Sequence, residues 1–139
     1  MPMSMRQHEG DRIEVSDNED IVRVRAAVKE AAARMGFSKV DQVRLVTAAS
    51  ELARNIRLYA SRGTVEVNPV RSAGRSGLRI NFEDAGPGIA DLELAMTDGY
   101  TTSRGMGKGL PGSRRLVDDF RIESEVGKGT LVTIIKWLR

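Results

Sequence analysis

Apolar positions along the 139-residue chain fall into two alternating periods. Ile13 and Val15 alternate with polar neighbours, which predicts a short strand over residues 11–16. Ile21, Val24, Val28, Ala31, Ala32 and Met35 then recur every three to four residues, the pattern of an amphipathic helix. Asp17 or Asp20 supplies its N-terminal cap, and Gly36 ends it. A longer helix is predicted from Ser38 to Ala60. Ser38-Lys39-Val40-Asp41 has the spacing of a capping box, with Asp in the usual Glu position. Leu45, Leu52, Ile56 and Tyr59 form the buried stripe of that helix.

The period returns to two at Val65 and Val67, and again at Leu78, Ile80 and Phe82. This predicts a hairpin whose turn covers residues 71–77, and Pro69 places the end of its first strand at a sheet edge. Glycine crowds residues 83–112, with one or two helical turns expected over 90–96. A helix follows from Gly109 to Phe120, its stripe formed by Leu110, Leu116, Val117 and Phe120; Pro111 is tolerated in the first turn. Strands over 120–126 and 130–138 flank a Gly127-Lys128-Gly129 turn. The order of elements predicts an α+β two-layer sandwich, one mixed sheet with helices on one face. Residues 11–139 form one domain, and residues 1–10 a flexible tail in which the single histidine, His8, is solvated.

Composition removes several function classes. The chain has no cysteine, so disulfides and thiolate metal sites are excluded. No apolar run reaches the length of a membrane span, so no membrane role is expected. The N-terminal residues lack the apolar segment of a secretory signal, which makes the cytoplasm the expected compartment. The net charge is +3, with both signs interspersed and no run of basic residues, so nucleic acid is not an expected partner. Arginine-rich surfaces of this kind suit protein partners and phosphate groups.

Four short motifs carry candidate chemistry. On the long helix, Glu51 and Asn55 are one turn apart and share a face. A carboxylate is a potential base, and an amide oxygen is a neutral hard ligand suited to magnesium; the plain alternative is two exposed polar residues. Asp84-Ala85-Gly86-Pro87-Gly88 follows a strand. Its aspartate can accept from an amino group, and Gly86 and Gly88 allow close approach of a flat ring, although the same residues make an ordinary turn. Gly105-Met106-Gly107-Lys108-Gly109 precedes a helix, where successive N–H groups and the helix terminus can cradle phosphate. Lys108 reaches phosphate or points to water. Gly127-Lys128-Gly129-Thr130 is either a simple hairpin turn or a means of placing the Thr130 hydroxyl beside a bound base. Residues 97–109 are mostly small, so this stretch is expected to be a lid that is mobile without nucleotide.

Taken in order, Glu-x-x-x-Asn, Asp-x-Gly-x-Gly, Gly-x-Gly-x-Gly and Gly-x-Gly-Thr resemble the motif set of the GHKL ATPase superfamily. That superfamily includes histidine kinases, gyrase-type ATPases and bacterial anti-sigma kinases. Ser50–Ile56, Asp98–Ser103, Gly107–Gly112 and the ending Lys136-Trp137-Leu138-Arg139 resemble its RsbT-like branch, the serine/threonine kinases of the stressosome. The resemblance implies a Bergerat fold that binds ATP and Mg²⁺. It implies Glu51 as the base for a substrate hydroxyl, Asn55 as the Mg²⁺ ligand, Asp84 on the adenine amino group and the 105–109 glycines over the phosphates. It also implies STAS-domain partners of the RsbS and RsbR kind and an RsbU-like phosphatase that the released kinase activates. Two other functions fit the same motifs: an anti-sigma factor with kinase activity, of the RsbW kind, and a nucleotide-gated binding module.

Overall fold

The computed structural model describes residues 10–96 and 109–139. The tail with His8, the greater part of the expected lid, Gly105, Gly107 and Lys108 lie outside the described residues. Strand β1 (Asp11–Val15) leads into helix α1 (Asn18–Met35) and helix α2 (Lys39–Ala60). The hairpin β2 (Gly63–Ser72) and β3 (Arg75–Asp84) follows, then a short helix α3 (Leu92–Ala95). Helix α4 (Gly109–Leu116), β4 (Asp119–Glu125) and β5 (Gly129–Trp137) complete the chain.

Local chemistry sets the element boundaries. Asp17 caps α1 by accepting from the Asp20 N–H at 3.0 Å, and the Asp20 carboxylate returns the favour to the N–H groups of Asp17 and Ser16. Both candidate aspartates therefore act, one as cap and one as the reciprocal member of a capping box. Gly36 closes the helix in a left-handed conformation, φ 92°. Ser38 caps α2 through a bond from Asp41 N–H at 3.1 Å. The carboxylate of Asp41 faces Arg44 at 3.0 Å.

The β2–β3 turn is tighter than the sequence predicts. It is two residues, Ala73 and Gly74, with φ 52° and 79°, and the strands run on to Ser72 and Arg75. Both positive angles match the twist of the flanking strands, which lets the ladder continue to the turn. Pro69 lies where β2 has passed the end of β1, whose pairing stops at Val67. The proline therefore costs no ladder bond on that side.

The sheet order is β1-β2-β3-β5-β4, and every paired neighbour is antiparallel. This corrects the expected mixed sheet. The crossover through α3 and α4 does return β4 parallel to β3, but β5 turns back between them and separates the two parallel strands. Helix α4 is also shorter than predicted, ending at Leu116 rather than Phe120. Asp118 N–H bonds to Ile135 carbonyl at 3.0 Å, and the Asp118 carboxylate accepts from Trp137 N–H at 2.7 Å. Those bonds draw the chain into the sheet before another helical turn can form. The core fills the space between sheet and helices: Val65, Val67, Leu78, Ile80, Phe82 and Ile134 from the strands meet Val24, Val28, Leu45, Ala49, Leu52 and Ile56 from α1 and α2.

Candidate functional site

A cleft opens where the last turns of α2 face the ends of β3, β4 and β5. Helix α2 contributes Leu52, Asn55, Ile56, Tyr59 and Ala60; the strands contribute Phe82, Asp84, Ile122, Thr130 and Val132. The loop after β3 adds Pro87, Gly88 and Ile89, and α4 adds Leu110. The cleft is a narrow slot of about 50 Å³, smaller than the roughly 300–1,000 Å³ usual for small-molecule sites. Its walls are mostly apolar, with Asp84, Asn55 and Thr130 as convergent polar groups.

Asp84 ends β3 opposite Thr130 in the ladder. Its Oδ1 accepts the Gly86 N–H at 2.9 Å. Burial raises its pKa, and hydrogen bonds from the backbone of Gly86 and Thr130 oppose that rise. The carboxylate is thus held by the Gly86 N–H and keeps acceptor capacity for a further donor.

The glycines around Asp84 serve the protein's own packing. A Cβ on Gly86 would lie 2.5 Å from the Ala60 side chain, so its bareness lets the loop close on α2. A Cβ on Gly129 would lie 2.1 Å from the Asp84 carbonyl. Gly86 therefore sits behind the cleft, while Gly88 forms part of its wall. Gly88 also approaches the protein's own backbone, since a Cβ there would lie 2.4 Å from the Glu125 carbonyl.

Ser124 is a residue that the sequence reading missed. Its Oγ receives the Ile89 N–H at 2.8 Å, lies 3.1 Å from the Gly129 carbonyl and 2.8 Å from Thr130 Oγ1. If Thr130 donates to Ser124 and Ser124 to the Gly129 carbonyl, every hydrogen-bonding capacity of Ser124 is used. Thr130 then keeps acceptor capacity. A further bond from Gly127 N–H to the Pro87 carbonyl, at 2.9 Å, ties the same loop to the β4–β5 turn. The loop beside Asp84 is preformed by these contacts. The hairpin register pairs Ser124 with Thr130, an adjacency that the alternating pattern of the strand does not carry by itself.

Glu51 stands one turn before Asn55 on α2, half-exposed and outside the cleft walls. Arg54 Nη1 donates to Glu51 Oε2 at 3.2 Å. Such an exposed pair adds little stability, but it orients the carboxylate. Asn55 is half-buried and lines the cleft. Among the described residues no group of three or more His, Cys, Asp or Glu side chains could hold a metal. A single amide oxygen in the cleft wall nevertheless suits Mg²⁺, which commonly takes one or two protein ligands and completes its shell with phosphates and water. An apolar slot with a carboxylate at its wall likewise fits an adenine ring. Gly109 opens α4 beside this cleft.

Known proteins share this architecture. Residues 40–139 match the family described as histidine kinase-, DNA gyrase B-, and HSP90-like ATPase. The serine/threonine-protein kinase RsbT of Bacillus subtilis (strain 168) is 50% identical over 120 residues, 86% of this chain and 90% of that protein. The anti-sigma F factor of Thermoanaerobacter sp. (strain X514) is 30% identical over 128 residues, 88% of this chain and 87% of the relative. Among solved structures, the RsbU and RsbW domains of a Mycobacterium tuberculosis protein superpose with TM-score 0.60 at 20% identity, over 91% of this chain and 32% of theirs. The nucleotide-free catalytic domain of histidine kinase ThkA gives TM-score 0.56 at 17% identity, over 91% and 95%. These two structural likenesses concern the fold alone.

Proposed function

The chain belongs to the histidine kinase-, DNA gyrase B-, and HSP90-like ATPase family, within its RsbT-like serine/threonine-protein kinases, and from that premise we propose that it phosphorylates STAS-domain proteins of a stressosome-type partner-switching module. The observation that carries this reading is the cleft itself. Asp84 stands in its wall among apolar side chains, and α2 presents Asn55 toward the cleft with Glu51 one turn away. Phosphoryl transfer asks a protein mainly for positioning and charge neutralisation.

In this reading Asp84 accepts the adenine amino proton, and Thr130 lies beside the base. Asn55 offers its amide oxygen to Mg²⁺, which when bound neutralises charge on the phosphates. Glu51 takes the proton of a serine or threonine hydroxyl as that oxygen bonds to the γ-phosphorus and the bond to the β-phosphate oxygen breaks. Gly105, Gly107, Lys108 and Gly109 belong to the phosphate loop. Partner surfaces lie away from the cleft, on the exposed arginines Arg23, Arg25 and Arg34 of α1. Once released from its STAS antagonist, the kinase binds and activates an RsbU-type phosphatase.

The test is incubation with γ-labelled ATP, Mg²⁺ and candidate STAS-domain proteins. Label should appear on serine or threonine of the STAS protein, and Asn55→Ala should abolish it. Wild-type labelling by Asn55→Ala would remove the metal-ligand role. Resemblance to an anti-sigma F factor over most of the chain supports a second reading, an anti-sigma factor with kinase activity. Retention of a sigma factor by the immobilised protein would favour it.

A further inference from the structure

Lys136 is the one buried lysine among the described residues, 5% exposed. It lies on the helix-facing side of β5, opposite Leu78. Its Nζ donates to the Leu116 carbonyl at 3.3 Å, and lies 3.7 Å from Asp41 Oδ1 and 4.0 Å from Asp118 Oδ1. One ammonium therefore joins the last turn of α4, the first turn of α2 and the chain that enters β4. Burying a charge is costly, and an apolar side chain would fill a plain core position at less cost. What the ammonium supplies instead is a fixed link between elements. It satisfies a carbonyl left without a partner at the end of α4, where the helix dipole also favours a cation.

Helix α4 is eight residues long, a rod of about 12 Å at ~1.5 Å per residue. It packs on α2, and its first turn brings Leu110 into the cleft wall. Ser113 is buried on the same helix, but its Oγ has no hydrogen-bond partner, so it does not share the anchoring. Holding the far end of so short a rod sets where its near end meets the nucleotide.

We propose that Lys136 is a positioning residue for the nucleotide site: by fixing the end of α4 to α2 and β4, it sets the place of the first turn of α4 at the cleft. This inference rests on the reading of the cleft as an ATP site. The experiment is calorimetry of Mg·ATP binding to the full chain, paired with thermal unfolding, for Lys136→Met, Lys136→Arg and the core control Ile134→Val. Lys136→Met should bind about tenfold more weakly, the scale of coupling through a packed network, and Lys136→Arg should recover most of the loss. Ile134→Val should lower the Tm without changing affinity. Unchanged affinity in Lys136→Met, whatever its Tm, would overturn the proposal, as would an equal affinity loss in Ile134→Val at an equal fall in Tm. Should Lys136→Met not fold, Asp41→Asn removes one tether alone; a loss of about threefold supports the role and no loss overturns it. Absence of ATP binding by the wild-type chain would instead reject the nucleotide site itself, and this inference with it.

Discussion

The Asp84 carboxylate accepts a hydrogen bond from the Gly86 N–H before any ligand arrives. The 6-amino group of adenine is a further donor to the same acceptor, whereas the 6-carbonyl of guanine brings an acceptor to face it. An unpaired buried group costs about 1–3 kcal/mol, so GTP should bind about 5- to 150-fold more weakly than ATP by calorimetry. Equal affinities would take Asp84 out of the adenine site. At this scale much of the site is legible in the sequence. Glu51 and Asn55 are fixed as neighbours by helix geometry once the helix is placed. Asp84 and Thr130 each stand in a recognisable motif, but their adjacency depends on β3 pairing with β5, a long-range register that no local pattern carries. Ser124 was hidden for a related reason, since a serine in an alternating strand reads as surface. Arg54 was passed over because its partner, Glu51, is visible only as a spacing.

Helices, turns and most strands follow from periodicity and caps, as the Asp17–Asp20 capping box and Gly36 show. What escaped was the end of α4 and the pairing of the sheet. Both depend on tertiary bonds, the first on Asp118 reaching Ile135 and Trp137, the second on β5 inserting between β3 and β4. Two element-level predictions follow from the junctions. Gly129→Ala would push a methyl group against the Asp84 carbonyl at a φ of 132°. It should cost about 1–3 kcal/mol in urea unfolding, the scale of overpacking, and weaken ATP binding as Asp84 shifts; unchanged stability would contradict the close approach. Asp20 concerns pH. The Ser16 N–H above all, then the Asp17 N–H and the Arg23 charge, lower its pKa against the opposing effect of burial. A carboxyl held low in the folded state stabilises above its ordinary value of 3.8, and that contribution is lost as pH falls through the depressed value. Asp20→Asn should therefore lower the Tm at pH about 7, with the deficit vanishing at acid pH below the depressed value. A deficit constant with pH would show that shape, not charge, matters at the cap.

At the scale of the whole molecule, one antiparallel sheet covered by two long helices leaves an apolar cleft at the end of the sheet where three strands and two helices meet. No described helix is long and apolar enough to cross a membrane. The family implies ATP as the ligand, and in the proposed reading Glu51 serves the hydroxyl acceptor. Glu51 lies outside the cleft walls and half-exposed, where a protein substrate can reach it without displacing the nucleotide. Binding and transfer should therefore separate at this one residue. The most direct measurement is transfer of γ-label from ATP to an RsbS-like STAS protein by Glu51→Gln, with ATP affinity and activation of an RsbU-like phosphatase measured on the same preparation. A positioned base typically contributes about 10²- to 10⁴-fold, so transfer should fall by that factor while ATP affinity and phosphatase activation stay at wild-type levels. Transfer at the wild-type rate would contradict Glu51 as the base, and loss of transfer and phosphatase activation together in a folded variant would contradict the separation of roles.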